Sequence, residues 1–487
     1  MGKSIPIHID RRTNVPLYSQ IAQALTEYIQ SGRLAPGEKL PAIRSLARAL
    51  QVNTVTVVKA YQELERAGLA VSRAGSGTYV APHDQASAFL SAAEPELDLL
   101  DRGQVEIPPG AINFASATPD PDLLPVATVQ RLINRVIERD GGQVFAYEES
   151  RGYLPLREKV ADVLAALGIH TEPTAIQVMS GGQQGIDVVA KSLLKPGDIV
   201  LVETPTYPGA LAAFRSRGAR IVSVPLGEDG PDLAALKDIL KRTRPRFFYL
   251  MPAFQNPTGT VYSRQKKEEL LNLAARFRLT LLEDDYLSEL SFADVDLTPL
   301  AALAPPEVPV LYLKSFSKVF LPGFRLAFLA VPPLLRREIL AAKHTSDIFT
   351  SGLFQRVFDL FLREGIWEEQ LARIRRLYEE RYHTMVQALE KELPAQVAFT
   401  PPRGGLNFWL RLPGNLDAAL LYREALRAGV VISPGALFLP TPGPSSYFRL
   451  TYASLGPEEI RRGAALLGNA CRRVLGERCP GEYAPFV

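Results

Sequence analysis

The residues with the clearest chemical potential lie in one stretch, Ser315–Arg325, which reads SFSKVFLPGFR. Most lysines of the chain have charged neighbours, whereas Lys318 is enclosed by leucine, tyrosine, valine and phenylalanine residues. Apolar surroundings lower the pKa of a lysine because they remove water from its charged form, and the free amine is then a nucleophile for an aldehyde. Arg325 follows a Pro-Gly turn and could bind a phosphate with two hydrogen bonds. The alternative is a structural lysine beside a surface arginine, and this stretch alone does not decide.

Length and composition predict a soluble, multidomain chain. The 487 residues are too many for one hydrophobic core and predict two or three domains. A hydrophobic fraction of 47% and a charged fraction of 22% are ordinary for a globular protein, and no apolar run approaches a membrane span. The amino terminus lacks the apolar core of a signal peptide, so we expect a cytoplasmic protein. Cys471, Cys479 and five scattered histidines lack metal-ligand spacing, so no metal site is expected.

The first 81 residues form a basic head. They contain ten lysines and arginines against five acidic residues, a net charge of +5 on a chain whose total is +3. Apolar residues at helical spacing predict a helix from Pro16 to Gln30, a second after Pro41 and a third that opens at Asn53 or Thr54. Two short helices joined by a tight turn are typical of a helix-turn-helix, and the charge favours a polyanionic partner.

Two short strands follow, around a glycine-rich tip formed by residues 74–77, and predict a hairpin or wing. The whole segment resembles the GntR-type winged helix, matching from Pro16-Leu17-Tyr18 through Gly75-Ser76-Gly77-Thr78. The resemblance implies that the third helix reads the major groove of double-stranded DNA. One position departs from it, because Thr54 stands where the family usually has arginine and cannot bind guanine with two hydrogen bonds. The residues carried over as DNA contacts are Arg44, Thr54, Thr56, Lys59, Arg73, Gly75, Ser76, Gly77 and Thr78.

Residues 82–111 lack clear periodicity and are rich in Ala, Ser, Asp and Glu, which predicts a linker with at most a short helix around Ser87–Ala92. From residue 112 strands and helices alternate, which predicts an α/β domain with a buried sheet. We expect a large part over about 112–365 and a small carboxy-terminal part over about 366–487. Ligands of such sheets gather at the carboxyl ends of the strands.

We expect strands over residues 176–179, 199–202, 220–224, 247–251, 280–282, 310–313 and 326–331, and unusual sequences follow several of them. Ser180-Gly181-Gly182-Gln183 predicts a turn into a helix over residues 186–194 whose free amides suit a phosphate, although a tight turn alone explains it as well. Tyr207 lies between prolines and could stack on a flat ring or simply pack. The turn at Asn256 could donate to a phenolate oxygen. A carboxylate of Glu283-Asp284-Asp285 could pair with a pyridine nitrogen. Together with Lys318 and Arg325 these are the parts of a pyridoxal 5′-phosphate (PLP) site.

Residues from about 112 to 470 resemble the fold-type I aminotransferases, through Tyr153, Pro155-Leu156-Arg157, Ser180–Gln184, Asn256–Gly259, Asp284 and Ser315–Lys318. The resemblance implies that Lys318 forms the Schiff base with PLP, that Asp284 pairs with the ring nitrogen and that Asn256 and Tyr286 hold the phenolate O3′. It further implies that Tyr207 stacks on the ring, that Arg449 binds a substrate carboxylate and that the phosphate is surrounded by Gly182, Gln183, Ser315, Ser317 and Arg325.

A winged helix followed by an aminotransferase-like body resembles the MocR subfamily of GntR regulators. The resemblance implies a homodimeric transcription factor that senses PLP, or an amino compound that forms an aldimine with it. The alternative is an active PLP-dependent aminotransferase with an accessory DNA-binding domain, because the predicted site lacks no catalytic residue. A DNA-binding protein whose body only dimerises would not need so complete a site. The effector, the operator and the sign of regulation stay open at this point.

Overall fold

The structure is a computed structural model of residues 1–487. It describes residues 7, 9, 16–30, 34, 38–66, 69–73, 77–80 and 107–477, and the remainder lie outside the described residues. These fall into two compact units that divide between Gln104 and Val105, and each is described separately. The predicted helix around Ser87–Ala92 lies outside the described residues, and the predicted domain boundaries stay a prediction.

The amino-terminal unit contains helices α1 (Leu17–Gln30), α2 (Ile43–Leu50) and α3 (Thr54–Arg66) and strands β1 (Ala70–Arg73) and β2 (Gly77–Val80). Asn53 caps α3, because its side-chain oxygen accepts a 2.9 Å hydrogen bond from the Val55 amide. The strands pair antiparallel with Arg73 opposite Gly77. Apolar side chains at helical spacing meet in one core, which includes Ile21, Leu25, Leu46, Val57 and Tyr61.

The first half of the carboxy-terminal unit alternates helices and strands. In chain order it contains β3 (Ile112–Asn113), α4 (Val126–Asp140), α5 (Leu154–Ala166), β4 (Ile176–Met179), α6 (Gly182–Leu193), β5 (Ile199–Thr204), α7 (Pro208–Ser216), β6 (Arg220–Gly227), β7 (Gly230–Pro231), α8 (Leu233–Arg242), β8 (Phe247–Leu250), α9 (Arg264–Phe277) and β9 (Leu281–Asp285).

The second half contains α10 (Leu300–Leu303), β10 (Val310–Ser315), β11 (Ala327–Ala330), α11 (Arg336–Asp347), α12 (Gly352–Arg363), α13 (Ile366–Glu392), β12 (Ala398–Phe399), β13 (Asn407–Arg411), α14 (Ala418–Arg427), β14 (Val430–Val431), β15 (Ser433–Pro434), β16 (Tyr447–Thr451) and α15 (Pro457–Leu475). None of the helices that the structure describes is long and apolar enough to cross a membrane.

Within the described part of this unit, eight strands form the central sheet in the order β4-β11-β10-β9-β8-β5-β6-β7. The run from β10 through β9, β8 and β5 to β6 is parallel, and β11 is antiparallel to both of its neighbours, β4 and β10. The carboxyl ends of β4, β5, β8, β9 and β10 therefore lie at one edge. A smaller sheet, β12-β13-β16-β15, belongs to the carboxy-terminal part.

The predicted strands are present, and one expectation about β9 was wrong. We expected the acidic residues to follow a strand that ended at Leu282, whereas β9 continues through Glu283, Asp284 and Asp285, all buried. Each carboxylate is tolerated there because each has its own donors. Backbone amides of Leu300 and Ala301 donate to Glu283, each at 2.9 Å, and Tyr249 donates to Asp284 at 2.7 Å.

Asp285 has the strongest set of partners, because it accepts from the Tyr312 hydroxyl at 2.5 Å and forms a 3.0 Å ion pair with buried Lys314. Charges and hydrogen bonds thus allow three consecutive acidic residues inside a sheet. The helix after β4 also differs from expectation, since it begins at Gly182 and not at Ile186.

An aromatic cluster anchors the segment that carries Lys318. Phe316 and Phe320, which flank the lysine, contact Phe358 with ring centroids 5.3 and 4.8 Å apart. Trp367 lies against Phe316 at 5.1 Å. All four rings are buried, so the residues on both sides of Lys318 are fixed by packing.

We predict that Phe358→Ala lowers the free energy of unfolding of this unit by about 3–5 kcal/mol, because it leaves a cavity under the lysine segment. Urea unfolding followed by tryptophan fluorescence measures it, since Trp367 and Trp409, the chain's two tryptophans, both lie in this unit. Leu334→Ala is the control, because Leu334 is 78% exposed and its loss should change the value by less than about 0.5 kcal/mol. Equal effects of the two variants would contradict the packing argument.

Candidate functional site

The site lies where the carboxyl ends of the parallel strands meet. Ser180 follows β4, Thr204 ends β5, Asp285 ends β9 and Ser315 ends β10. Lys318 comes three residues after β10, in the segment held by the aromatic cluster. The sheet topology therefore brings the predicted residues to one edge although they are up to 138 positions apart in sequence, from Ser180 to Lys318.

Lys318 has the properties expected of a nucleophilic amine. Burial lowers its pKa to about 8, and the positive charges of Arg449 and Arg325 act in the same direction. Among the residues that the structure describes, no acidic group pairs with its amine, in contrast to Lys314, which pairs with Asp285 and Glu289. Lys314 is therefore a structural cation, and Lys318 is left available for chemistry.

A phosphate-sized cradle adjoins the lysine; we define this phosphate cup as Ser180–Gln183 with Ser315 and Arg325. Gly181 has a φ of +92° and Gly182 begins α6, so amides at the start of that helix are free of helical hydrogen bonds. A Cβ on Gly181 would overlap the Arg325 guanidinium, and one on Gly182 would lie 3.5 Å from the Ser315 hydroxyl. Glycine at position 181 therefore lets the Arg325 guanidinium approach the turn, whereas a Cβ at position 182 would make only an ordinary contact with Ser315.

Tyr207 and Ser317, two further predicted residues, line the same region. Gln183 donates to the Gly209 carbonyl at 2.8 Å and accepts from the Tyr207 hydroxyl at 3.0 Å. The hydrogen bond fixes the Tyr207 ring at the start of α7. Ser317 has a buried hydroxyl without a hydrogen-bond partner in the described part of the chain. This indicates that a ligand atom forms the missing hydrogen bond.

Asp284 is a buried carboxylate in need of a cation. It is 6% exposed, and burial raises its pKa to about 7, although the hydrogen bond from Tyr249 opposes that shift. Asp285 beside it also raises the pKa. A protonated ring nitrogen would supply the missing positive charge, so the carboxylate fits the pyridinium partner predicted from the sequence.

Tyr286 lies between the large and small parts of the unit. Its hydroxyl donates to the Phe254 carbonyl at 3.0 Å and accepts from the Asn407 amide at 2.8 Å. Burial raises its pKa far above the ordinary value, so the hydroxyl keeps its proton and can act as a donor.

Arg449 and Asn256 contact each other directly. The Arg449 Nη1 donates to the Asn256 side-chain oxygen at 2.9 Å, which leaves the Asn256 amide group free to donate elsewhere. Arg449 also donates to Ser433 at 3.3 Å, and its Nε has no hydrogen-bond partner among the described residues. A carboxylate is the natural ligand for that remaining donor.

The predicted DNA contacts lie in the winged helix. Thr54 and Lys59 are exposed on α3 and Thr56 is half-buried, while Thr78 is 8% exposed within β2. The backbones of Arg44 and Arg73 lie in α2 and β1, and Gly77 begins β2 with a φ of +117°. Gly75 and Ser76 lie outside the described residues. All nine roles stay predictions.

Tyr249, Asn407 and Ser433 contact site residues, and sequence reasoning missed them. Each lies inside a strand, so its position resembled that of a packing residue. The available signal was a single polar group within an apolar run, as in Leu406-Asn407-Phe408. A group of acidic, histidine or cysteine residues suited to a metal ion is absent from the described residues.

The fold and the site define a class. A mixed sheet that carries a buried lysine, a buried aspartate without a paired cation and a phosphate cup at the carboxyl ends of its strands is the architecture of a fold-type I, PLP-dependent body. A winged helix precedes this body in the chain. The chain belongs to the aminotransferase class I and II family, which residues 109–467 match, and residues 17–80 match the bacterial regulatory proteins of the gntR family.

Relatives of both kinds were found. The crystal structure of LysN, the α-aminoadipate aminotransferase of Thermus thermophilus, superposes with a TM-score of 0.72 at 38% identity, covering 79% of this chain and 98% of that one. The uncharacterized HTH-type transcriptional regulator YisV of Bacillus subtilis is 32% identical, over 96% of this chain and 98% of its own. The probable rhizopine catabolism regulatory protein MocR of Rhizobium meliloti is 30% identical, over 95% of each chain.

These similarities confirm the predicted two-part architecture and the resemblance to MocR-type regulators. LysN was solved with N-(5′-phosphopyridoxyl)-L-leucine, and this ligand and the family membership together indicate PLP as the cofactor. The unpartnered Ser317 hydroxyl, the glycine-lined cup and buried Asp284 fit its phosphate and ring nitrogen.

We predict that in cofactor-free protein the Lys318 amine becomes reactive with a midpoint near pH 8, because burial and the neighbouring arginines favour its uncharged form. Reactivity rises with pH, since only the deprotonated amine attacks. Reductive methylation, quantified by mass spectrometry at a series of pH values, measures it. The reference is an unstructured lysine-containing peptide treated in parallel, whose amine has a pKa of about 10.4. A Lys318 midpoint equal to that of the peptide would contradict the predicted environment.

Proposed function

We propose that the protein is a PLP-dependent transcriptional regulator that binds double-stranded DNA through its winged helix and senses PLP or an amino compound at Lys318. One observation carries the proposal: a chain with a gntR-family head also has a buried amine and a buried aspartate without a paired cation at one sheet edge. A body used only as scaffold would not need buried ionisable groups that cost free energy to desolvate.

The chain's own residues have distinct roles in this proposal. PLP supplies an aldehyde for an amine and a ring that withdraws electrons. Lys318 would provide that amine, Asp284 would keep the ring nitrogen protonated, and Asn256 would donate to O3′. Tyr286 would donate to O3′ by turning its one hydroxyl proton away from the Phe254 carbonyl. The phosphate is bound by Gly182, Gln183, Ser315, Ser317 and Arg325, and Tyr207 stacks on the ring.

We assign Arg449 to the carboxylate of the effector. Its pKa is lowered to about 10 by burial, so it stays charged at neutral pH, and its Nε is an unused donor. An amino compound that displaces Lys318 from the cofactor and engages Arg449 would make contacts that the cofactor alone does not. Only such differential contacts shift a conformational equilibrium and thereby DNA binding.

The proposal includes a homodimer in the cytoplasm. Two winged helices on a two-fold axis would bind two paired half-sites of the DNA. A single winged helix would bind one half-site with much lower affinity. A cytoplasmic location follows from the DNA partner, which the protein must reach directly.

The second candidate is an active aminotransferase with an accessory DNA-binding head. Its support is the complete set of site residues and the 38% identity to LysN, an aminotransferase. The two functions separate in one preparation, because rapid exchange between an amino acid and a keto acid without a salt-dependent DNA complex would favour the enzyme.

We predict that Lys318→Ala abolishes the visible absorption band that PLP shows when it is bound to an amine of the protein. The band requires the Lys318 amine, so the spectrum of the purified holoprotein and of the variant measures it. Lys314→Ala tests whether any buried lysine suffices; Lys314 is 2% exposed and bound to Asp285, so its loss should destabilise the fold yet leave the band in protein that remains folded. An intact band in Lys318→Ala would contradict the assignment.

We predict that Lys59→Ala weakens DNA binding by a similar factor on all sequences and lowers the slope of log affinity against log salt by about 1, as loss of one phosphate contact requires. Lys59 is exposed on α3. Fluorescence anisotropy with labelled duplex DNA over a range of salt concentrations measures it. Lys237→Ala, an exposed lysine of α8, is the control and should change neither quantity. An unchanged slope for Lys59→Ala would remove this residue from the interface.

A further inference from the structure

A hydrogen-bonded network centred on Asp347 adjoins the phosphate cup. Asp347, the last residue of α11, accepts from the Ser180 hydroxyl at 2.8 Å and from the Gln184 amide at 2.6 Å, both on Oδ2. Gln184 in turn accepts from the Ser180 backbone amide at 2.6 Å. One carboxylate oxygen therefore binds the residues on both sides of the glycine turn, Gly181–Gln183.

The charge of Asp347 is itself held in place. Burial acts to raise its pKa, but hydrogen bonds from Lys343, Gln184 and Ser180 outweigh burial and lower the pKa below its ordinary value. Lys343 is fully buried and pairs with Asp347 one helical turn away. An ion pair with one fully buried partner gains little stability, because desolvation of the buried charge offsets much of the attraction, whereas it fixes geometry well. Thr350 completes the network, with its hydroxyl 2.9 Å from that of Ser180.

The glycine turn needs such a brace. Gly181 has a φ of +92°, and the next residue is also glycine, so the backbone of the cup has more accessible conformations than any other residue pair would allow. A phosphate is bound tightly only when the amides already converge on it, because ordering them upon binding reduces affinity. Fixing Ser180 and Gln184 from outside removes this cost without placing a side chain in the cup.

We propose that Asp347 is a positioning residue for the phosphate group of the ligand: through Ser180 and Gln184 it holds the glycine turn in its anion-binding conformation. The proposal rests on the proposed function, in which this cup binds the phosphate of PLP. Asp347 touches neither cofactor nor substrate in this account. Its effect should therefore appear only with ligands that carry the phosphate.

The test compares PLP with pyridoxal, the same aldehyde without the phosphate. Each is titrated into cofactor-free full-length protein and followed by its visible absorption band. For Asp347→Asn we expect PLP affinity to fall about tenfold or more, since a charge-assisted brace is lost, and pyridoxal affinity to stay within about twofold of wild type. Gln184→Met removes the hydrogen bonds of Gln184 to Asp347 and to the Ser180 amide, and it leaves the charges of Asp347 and Lys343 in place. We expect the same pattern of affinities from it. If Asp347→Asn does not fold, Gln184→Met provides the test.

Asp359→Asn is the matched control. Asp359 is a buried helical aspartate paired with Arg363 four residues later at 2.7 Å, on the neighbouring helix α12. We expect it to leave the ratio of the two affinities unchanged. Equal losses of PLP and pyridoxal affinity in Asp347→Asn, or no loss of either, would overturn the positioning role. The absence of a band with both aldehydes in wild-type protein would instead overturn the proposed cofactor function, and this role with it.

Discussion

The structure depends on burying ionisable groups at one edge of an apolar sheet while giving each a defined state. Asp284, Lys318 and Arg449 all lie in surroundings that disfavour charge, and burial is the largest influence on the pKa of each. Burial raises the pKa of Asp284 to about 7 while no cation pairs with it, and it lowers the pKa of Lys318, so that the amine loses its proton more easily. The Nε of Arg449 has no hydrogen-bond partner among the described residues. PLP and an amino compound with a carboxylate would together meet all three needs. The ring nitrogen would pair with Asp284, the aldehyde would react with Lys318, and the carboxylate would bind Arg449. The strands and the aromatic cluster serve to hold these groups at that edge.

The sheet of the small part shows how sequence alternation produces this arrangement. Asn407 and Thr451 are direct partners across β13 and β16, as are Trp409 and Arg449. Because side chains of a strand alternate between faces, Asn407 and Arg449 share the face that meets Tyr286 and Asn256, while Phe408 and Leu450 face the core. The face that carries Asn407 and Arg449 thus becomes one wall of the site.

Much of this could be predicted from the sequence, and the reasons for the rest are physical. Lys318, Asp284 and Asn256 follow or end apolar strands, and such positions converge in any parallel sheet, so their grouping follows from local pattern. The extent of β9 could not be predicted, because three adjacent acidic residues disfavour a buried strand unless Lys314, Tyr312 and the amides of α10 are known to face them. Asn407 and Asp347 act through contacts with residues 121 and 163 positions away, which no local pattern reveals.

We propose that the state of the Lys318 site changes how the winged helix binds DNA. The most direct measurement is the affinity of the full-length protein for its own upstream DNA, without cofactor, with PLP, and with PLP plus each member of a panel of amino acids, at fixed salt. We expect that at least one amino compound changes the affinity or the footprint in wild-type protein, and that Lys318→Ala and Arg449→Ala each remove the response to it. An affinity that is the same in all these states, in a protein that binds both PLP and DNA, would contradict it.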